Sequence, residues 1–246
     1  MTELLNKSLA SIVTGNHQSA AVFEKYDLDF CCKGKRSLQD ACREKKINPA
    51  AVLLDLEKIM EKEDPGSQHL SELSLSELTN YIESTHHEYV RRQLPLIHGY
   101  LQKVSSKHGE RHPELHQILD NFTAIREELE LHMLKEEKVL FPRIKEIEQL
   151  SKWNTALSLS STFISAPVSM MEQEHEHAGS LMAEIRTLSN EYNSPSDACT
   201  TYKLSLASLQ AFEEDLHRHV HLENNLLFPA AIDLIKRGVP ENEKIK

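Results

Sequence analysis

His132-Met133-Leu134-Lys135-Glu136-Glu137-Lys138-Val139-Leu140-Phe141-Pro142 returns 87 residues later as His219-Val220-His221-Leu222-Glu223-Asn224-Asn225-Leu226-Leu227-Phe228-Pro229. Both stretches read His-x-x-x-Glu-x-x-x-Leu-Phe-Pro. A histidine and a glutamate four residues apart share one face of a helix, a turn apart, and can reach a single point. The apolar stripe around them says which face it is. Ile118, Phe122, Ile125, Leu129, His132, Glu136 and Leu140 recur at steps of three and four, as the core seam of a packed helix does. Leu209, Phe212, Leu216, His219, Glu223 and Leu227 repeat the seam, so both ionisable pairs are predicted to point inward.

Two more histidines extend the pattern. His87 heads a stripe of Val90, Leu94, Ile97, Leu101 and Val104, and 88 residues later His175 sits between Met171 and Ala178, Met182 and Ile185. Each has a glutamate neighbour, Glu88 or Glu174, so the chain reads as two helical hairpins of common plan. Burying an unpaired carboxylate costs several kcal/mol, so such groups neutralise, pair or bind a cation. Nitrogen and oxygen donors without thiolates suit iron, manganese or zinc, and paired His-x-x-x-Glu helices suit two metals bridged by carboxylates. The metal-free alternative is a buried His–Glu hydrogen-bond network in each hairpin; the duplication, with two further core histidines, weighs against it. His86, His177, His217 and His221 are expected on exposed or supporting positions. Only the stripe from Val90 onward selects His87 over His86, and Glu137 reads as a solvated charge.

The remaining sequence frames this core. A net charge of −10 and only 7 glycines in 246 residues fit a helical protein and exclude the basic groove that nucleic acid requires. No apolar run of about 18 residues and no signal-peptide pattern is visible, so the expected compartment is the cytoplasm and no membrane partner is expected. Residues 1–62 read as a small helical domain, 63–74 as a linker around Glu63-Asp64-Pro65-Gly66-Ser67, and 75–246 as the bundle. Long helices are predicted near 75–104, 113–146, 167–191 and 196–236. Ser74-Leu75-Ser76-Glu77 supplies a capping box for the first, and Ser194-Pro195 with Asp197 a cap for the last. Pro95 should kink the first helix or mark its boundary. The four cysteines do not form a disulfide framework. Cys31 and Cys32 are candidate redox or docking thiols, because Lys33, Lys35 and Arg36 beside them should favour the reactive thiolate; the alternative is simple packing beneath Phe30.

His87, His132-x-x-x-Glu136, His175 and His219-x-x-x-Glu223 resemble the hemerythrin-like domain. Asp29-Phe30-Cys31-Cys32-Lys33-Gly34 resembles the N-terminal domain of the RIC (repair of iron centres) family, which is YtfE/ScdA-like. The resemblance covers nearly the whole chain. It implies an all-α fold: a hemerythrin-like four-helix bundle preceded by a small helical N-terminal domain with a Cys-Cys motif. It implies two iron ions per chain, oxo- or hydroxo-bridged, held by the four histidines and two bridging glutamates. It also implies repair of iron–sulfur clusters damaged by nitrosative or oxidative stress, by supplying iron to damaged iron–sulfur proteins. Ordinary hemerythrins carry His-x-x-x-x-Asp and one more histidine; the glutamate at the fourth residue in both halves here fits RIC and weakens an oxygen-carrier reading. The rival readings are a di-iron oxidoreductase reducing nitric oxide or peroxide, which needs an open coordination position and an electron donor, and a sensor binding a diatomic gas such as nitric oxide or dioxygen. A homodimer stays open.

Overall fold

The computed structural model describes residues 2–60, 70–152 and 162–238. The expected linker therefore lies largely outside the described residues, as does the middle of the connection near 149–166. Twelve α-helices account for most of the described chain: α1 (Thr2–Asn6), α2 (Leu9–Gly15), α3 (Ser19–Lys25), α4 (Leu38–Lys45), α5 (Pro49–Met60), α6 (Leu75–Ile82), α7 (Glu88–His108), α8 (Glu114–Lys135), α9 (Phe141–Lys152), α10 (Thr162–Leu188), α11 (Thr200–Leu222) and α12 (Phe228–Gly238). Among the described residues there is no strand, only an isolated bridge between Ser8 and Ser37. No described helix is long and apolar enough to cross a membrane.

The chain divides into two compact units, residues 80–146 with 160–216, and residues 1–79 with 147–159 and 217–246. The first is a four-helix bundle of α7, α8, α10 and the first part of α11. Helix α8 packs on α7 and α10. The Phe122 and Phe212 rings meet edge-on at 5.5 Å, joining α8 to α11, and Arg186 of α10 grips Glu213 of α11 through Nε (3.0 Å) and Nη2 (2.8 Å). Every apolar residue of the four predicted stripes is buried. At about 1.5–3 kcal/mol for each large side chain removed from water, these stripes dominate the stability of the bundle. Pro95 does not end α7, which runs through it.

The second unit gathers α1–α5 with the chain from His217 onward. Side-chain oxygens start its short helices: Ser8 accepts from the Ser11 amide at 3.1 Å, Ser37 from Asp40 at 3.1 Å, and Asn48 from Ala50 at 3.0 Å. Between α3 and α4 the chain turns tightly. A Cβ at Gly34 would come within 2.2 Å of the Phe30 carbonyl oxygen, so only glycine fits there. The capping box forms as expected, the Ser74 amide donating to Glu77 Oε2 at 2.9 Å and the Glu77 amide to Ser74 Oγ at 3.3 Å. Buried Glu148 adds to it by accepting from the amides of Leu75 (3.2 Å) and Ser76 (3.1 Å).

The Ser194-Pro195 cap does not form. Helix α11 begins at Thr200, because the Pro195 carbonyl is used in a turn to the Ala198 amide (3.0 Å) and the Asp197 carboxylate is taken by His112 (3.1 Å) and Arg111 (3.2 Å).

Among the described residues, three π-helical turns interrupt the long helices, at Glu83–His87, Glu136–Leu140 and Glu223–Leu227. In each, an amide donates to the carbonyl five residues back: Glu88 to Glu83, Phe141 to Glu136 and Phe228 to Glu223. The wider turn turns consecutive residues inward, so Leu140 with Phe141, Leu227 with Phe228, and His86 with His87 are all buried. Each π turn begins or ends on one of the predicted metal ligands, a placement common for π bulges at functional sites.

Candidate metal centre

The bundle unit brings His87, His132, Glu136 and His175 together. His87 closes the first π turn and is fully buried, its ring stacked 5.7 Å from Phe141. Its Nε2 lies 3.3 Å from Glu136 Oε2. His132 Nε2 lies 3.4 Å from the same oxygen and 3.0 Å from His175 Nε2. The ligand atoms of His132, Glu136 and His175 lie within 4.8 Å of one another. All four side chains are at most 2 % exposed.

The opposite edge of two of these rings decides what the cluster can bind. His87 Nδ1 is 2.7 Å from Glu137 Oε1, and His132 Nδ1 is 2.8 Å from Glu174 Oε2. An ionised carboxylate only accepts, so Nδ1 carries the hydrogen in each case. In the neutral ring this leaves the Nε2 lone pair facing Glu136, itself an acceptor. Acceptors turned toward one another in a dry interior repel unless a cation lies between them, and an outer carboxylate fixing the ring of a histidine ligand is the usual arrangement at metal sites. The donor set therefore fits a divalent or trivalent metal, with imidazole nitrogens and carboxylate oxygen and no thiolate.

Glu137 and Glu174 are tied down in turn, Glu137 by Arg91 and Glu174 by Lys135. The hydrogen bond from His132, with Lys135 adding to it, draws the Glu174 pKa down to about 2. Glu137 is thus a partner of His87 and not a solvated charge, because the π turn beginning at Glu136 swings it toward the ring. Its role was not legible in the sequence; for Glu174, adjacency to His175 was the available signal.

The second unit holds the other predicted pair. His219 on α11 and Glu223 at the start of the third π turn are buried, with Nε2 3.0 Å from Oε1. The neighbouring histidines scatter as their helix positions require. His177 is exposed, near Glu128 at 3.2 Å. His217 is half-buried, 3.6 Å from Glu24. His86 and His221 are buried rather than exposed: His86 Nδ1 contacts Asp215 at 3.0 Å, and His221 Nε2 contacts Thr14 Oγ1 at 3.4 Å. Burial pushes the His221 pKa down to about 4.

Cys31 and Cys32 sit on the turn before Gly34. Asp29 Oδ1 accepts from the amides of Cys31 (3.1 Å), Cys32 (2.9 Å) and Lys33 (3.2 Å), and its carboxylate and the two thiols form a compact donor group. Both thiols are free, with sulfurs 3.8 Å apart. The expectation of a basic environment fails for Cys31: the Cys32 sulfur beside it, its burial and Asp29 hold its thiol well above the ordinary range. Arg36 is engaged instead with Glu44. The turn is anchored from α11's continuation, where Asn225 Nδ2 donates to the Cys31 carbonyl at 2.9 Å.

Residues 79–231 match the family model described as the Hemerythrin HHE cation binding domain. Residues 5–60 match one described as a Domain of Unknown function (DUF542). The chain is 33% identical over 226 residues to the iron-sulfur cluster repair protein YtfE of Musicola paradisiaca, covering 92% of this chain and 96% of that one. It is 34% identical over 226 residues to the iron-sulfur cluster repair protein ScdA of Staphylococcus haemolyticus, covering 92% and 98%. With the YtfE protein of Escherichia coli O81 it shares 32% over 227 residues, covering 92% and 97%.

Proposed function

Because the chain belongs to the YtfE/ScdA family of iron–sulfur cluster repair proteins, with a hemerythrin-like cation-binding domain, we propose that it repairs damaged iron–sulfur clusters by supplying iron from a two-iron centre. The ligands of that centre are His87, His132, Glu136, His175, His219 and Glu223. The observation that carries the reading is the pair of Nδ1-anchored imidazoles, His87 and His132, turned toward the buried Glu136 carboxylate. Six protein ligands complete two metal sites only if carboxylates are shared, and the repeat provides one glutamate from each half for that purpose.

Bound there, iron supplies a redox-active Lewis acid that is also the cargo for a client cluster. The protein's part is to hold the imidazoles as neutral donors through Glu137 and Glu174 and to keep bulk water from the carboxylates by burial. With two anionic protein ligands for two ions, the site neutralises little of the metal charge, which favours release to a thiolate-rich acceptor. The clients are iron–sulfur proteins of the cytoplasm damaged by nitric oxide or peroxide. The 1–62 segment, carrying Cys31 and Cys32, is a candidate for client contact.

The test follows iron. Purified, iron-loaded protein is mixed with an inactivated cluster enzyme, with and without nitric oxide, and iron is measured in both proteins. Net movement of iron with recovery of the enzyme supports the reading; catalytic loss of the gas with no loss of iron overturns it in favour of an oxidoreductase.

A further inference from the structure

The bundle unit holds a second cluster of reactive side chains, built from Cys199, His108 and the N-terminus of α11. Cys199 immediately precedes Thr200, the first residue of the 23-residue α11, and its carbonyl accepts from the Lys203 amide at 3.0 Å, which makes it the N-cap residue. Its sulfur lies 3.2 Å from His108 Nε2. His108 is only 6% exposed, and its other nitrogen, Nδ1, is buried with no hydrogen-bond partner among the described residues. The Tyr202 ring packs 5.7 Å from the His108 ring, while Cys199 itself keeps some exposure.

These contacts select a protonation pattern. A hydrogen on Nδ1 would be buried with nothing to accept it, so the neutral ring keeps its hydrogen on Nε2 and donates it to the Cys199 sulfur. Cys199 also stands at the N-terminus of α11, the positive end of that helix's dipole. A histidine donor to the sulfur of a partly exposed cysteine at a helix N-terminus is a nucleophile's environment. Buried Cys42, by contrast, is surrounded so that desolvation raises its pKa, and it offers no such environment.

We propose that Cys199 is a thiol-modification site that forms a mixed disulfide with small disulfides of the glutathione class. The Cys199 sulfur attacks one sulfur of the disulfide; a new S–S bond forms to Cys199 and the original S–S bond breaks. Cys199 passes from thiol to disulfide level and the departing sulfur from disulfide to thiol level, so no further oxidant is consumed. The proton released from Cys199 ends on the departing thiolate, with His108 holding the attacking sulfur in place. The site is independent of the metal centre, and the modification stands or falls apart from cluster repair.

The experiment uses the full iron-loaded chain with oxidised glutathione and maps adduct formation at Cys199 over time by peptide mass spectrometry. Cys199 should react about 10-fold faster in the folded protein than in the urea-unfolded chain, where neither His108 nor the helix acts on it. His108→Phe, which keeps a ring in the space, and His108→Gln should each remove most of that advantage while leaving the Cys32 rate unchanged. A folded-state rate at or below that of the unfolded chain, or folded variants of His108 that react as fast as the parent, would overturn the proposal.

Discussion

His132 Nδ1 lies 2.8 Å from Glu174 Oε2, and that contact turns the other nitrogen of the ring toward Glu136. Glu174→Ala should leave the bundle folded, since Glu174 is partly exposed and contributes no core volume. It should lower iron affinity about 10- to 100-fold, the usual cost of losing the outer partner of a histidine ligand. Competition with a chelator of known affinity reads this directly. An unchanged affinity means that packing alone orients His132.

Glu136→Ala and Glu223→Ala should each reduce the iron content from about two per chain to about one, because a shared carboxylate is required for six ligands to serve two ions. Removing all iron with a chelator should lower Tm, since the fully buried carboxylates then face neighbouring imidazoles without a cation. Elemental analysis with absorption spectroscopy after anaerobic reconstitution checks the first outcome, and calorimetry the second. Either variant keeping both irons and the spectrum of a coupled ferric pair is not a bridge.

The helices and the inward histidines were legible because periodicity is a local signal: Phe122, His132 and Glu136 lie on one stripe, and all are buried. The π turns carry no periodic signal of that kind, although both repeats end in Leu-Phe-Pro. Pro142 and Pro229 lack the amide that would continue the regular ladder, and the adjacent apolar pairs Leu140-Phe141 and Leu227-Phe228 require consecutive residues to face inward. The direction of Glu137 depends on the same turn, so its sequence position alone reads as a solvated charge whereas the side chain meets His87. Helix α11 starts later than the local capping pattern predicts because Asp197 meets His112 and Arg111, partners more than 80 residues away that no local pattern reveals.

Acid should act on the N-terminal helices through Asp55. Its carboxylate accepts from Lys25 (2.6 Å), Lys58 (2.9 Å) and Tyr26 (3.0 Å), which hold it well below the usual carboxylate range. A carboxyl that titrates lower when folded contributes its full stabilisation above the unfolded-chain pKa of about 4, and loses it as pH falls toward the folded value. Asp55→Asn should therefore lower the urea midpoint at pH 7 and have progressively less effect below pH of about 4. A midpoint difference that is independent of pH would show that the charge of Asp55 is irrelevant.

Cys31 and Cys32 differ in environment although they are adjacent. Cys31 is buried and its thiol is pushed up by the Cys32 sulfur and by desolvation, whereas Cys32 is partly exposed. Within this pair, alkylation of the folded protein followed by peptide mapping should therefore reach Cys32 before Cys31, and Cys32→Ser should remove the faster of the two adducts while Cys31→Ser keeps it. Serine keeps the backbone carbonyl that accepts from Asn225, so the double variant should retain the turn and the di-iron spectrum. If the pair handles a client or a nitrosyl group, cluster repair should fall in the double variant with iron content unchanged. Full repair activity would reduce the pair to packing beside Phe30. Loss of iron would show that the thiols act on the metal centre itself, and absorption spectra taken alongside the repair assay separate the two results.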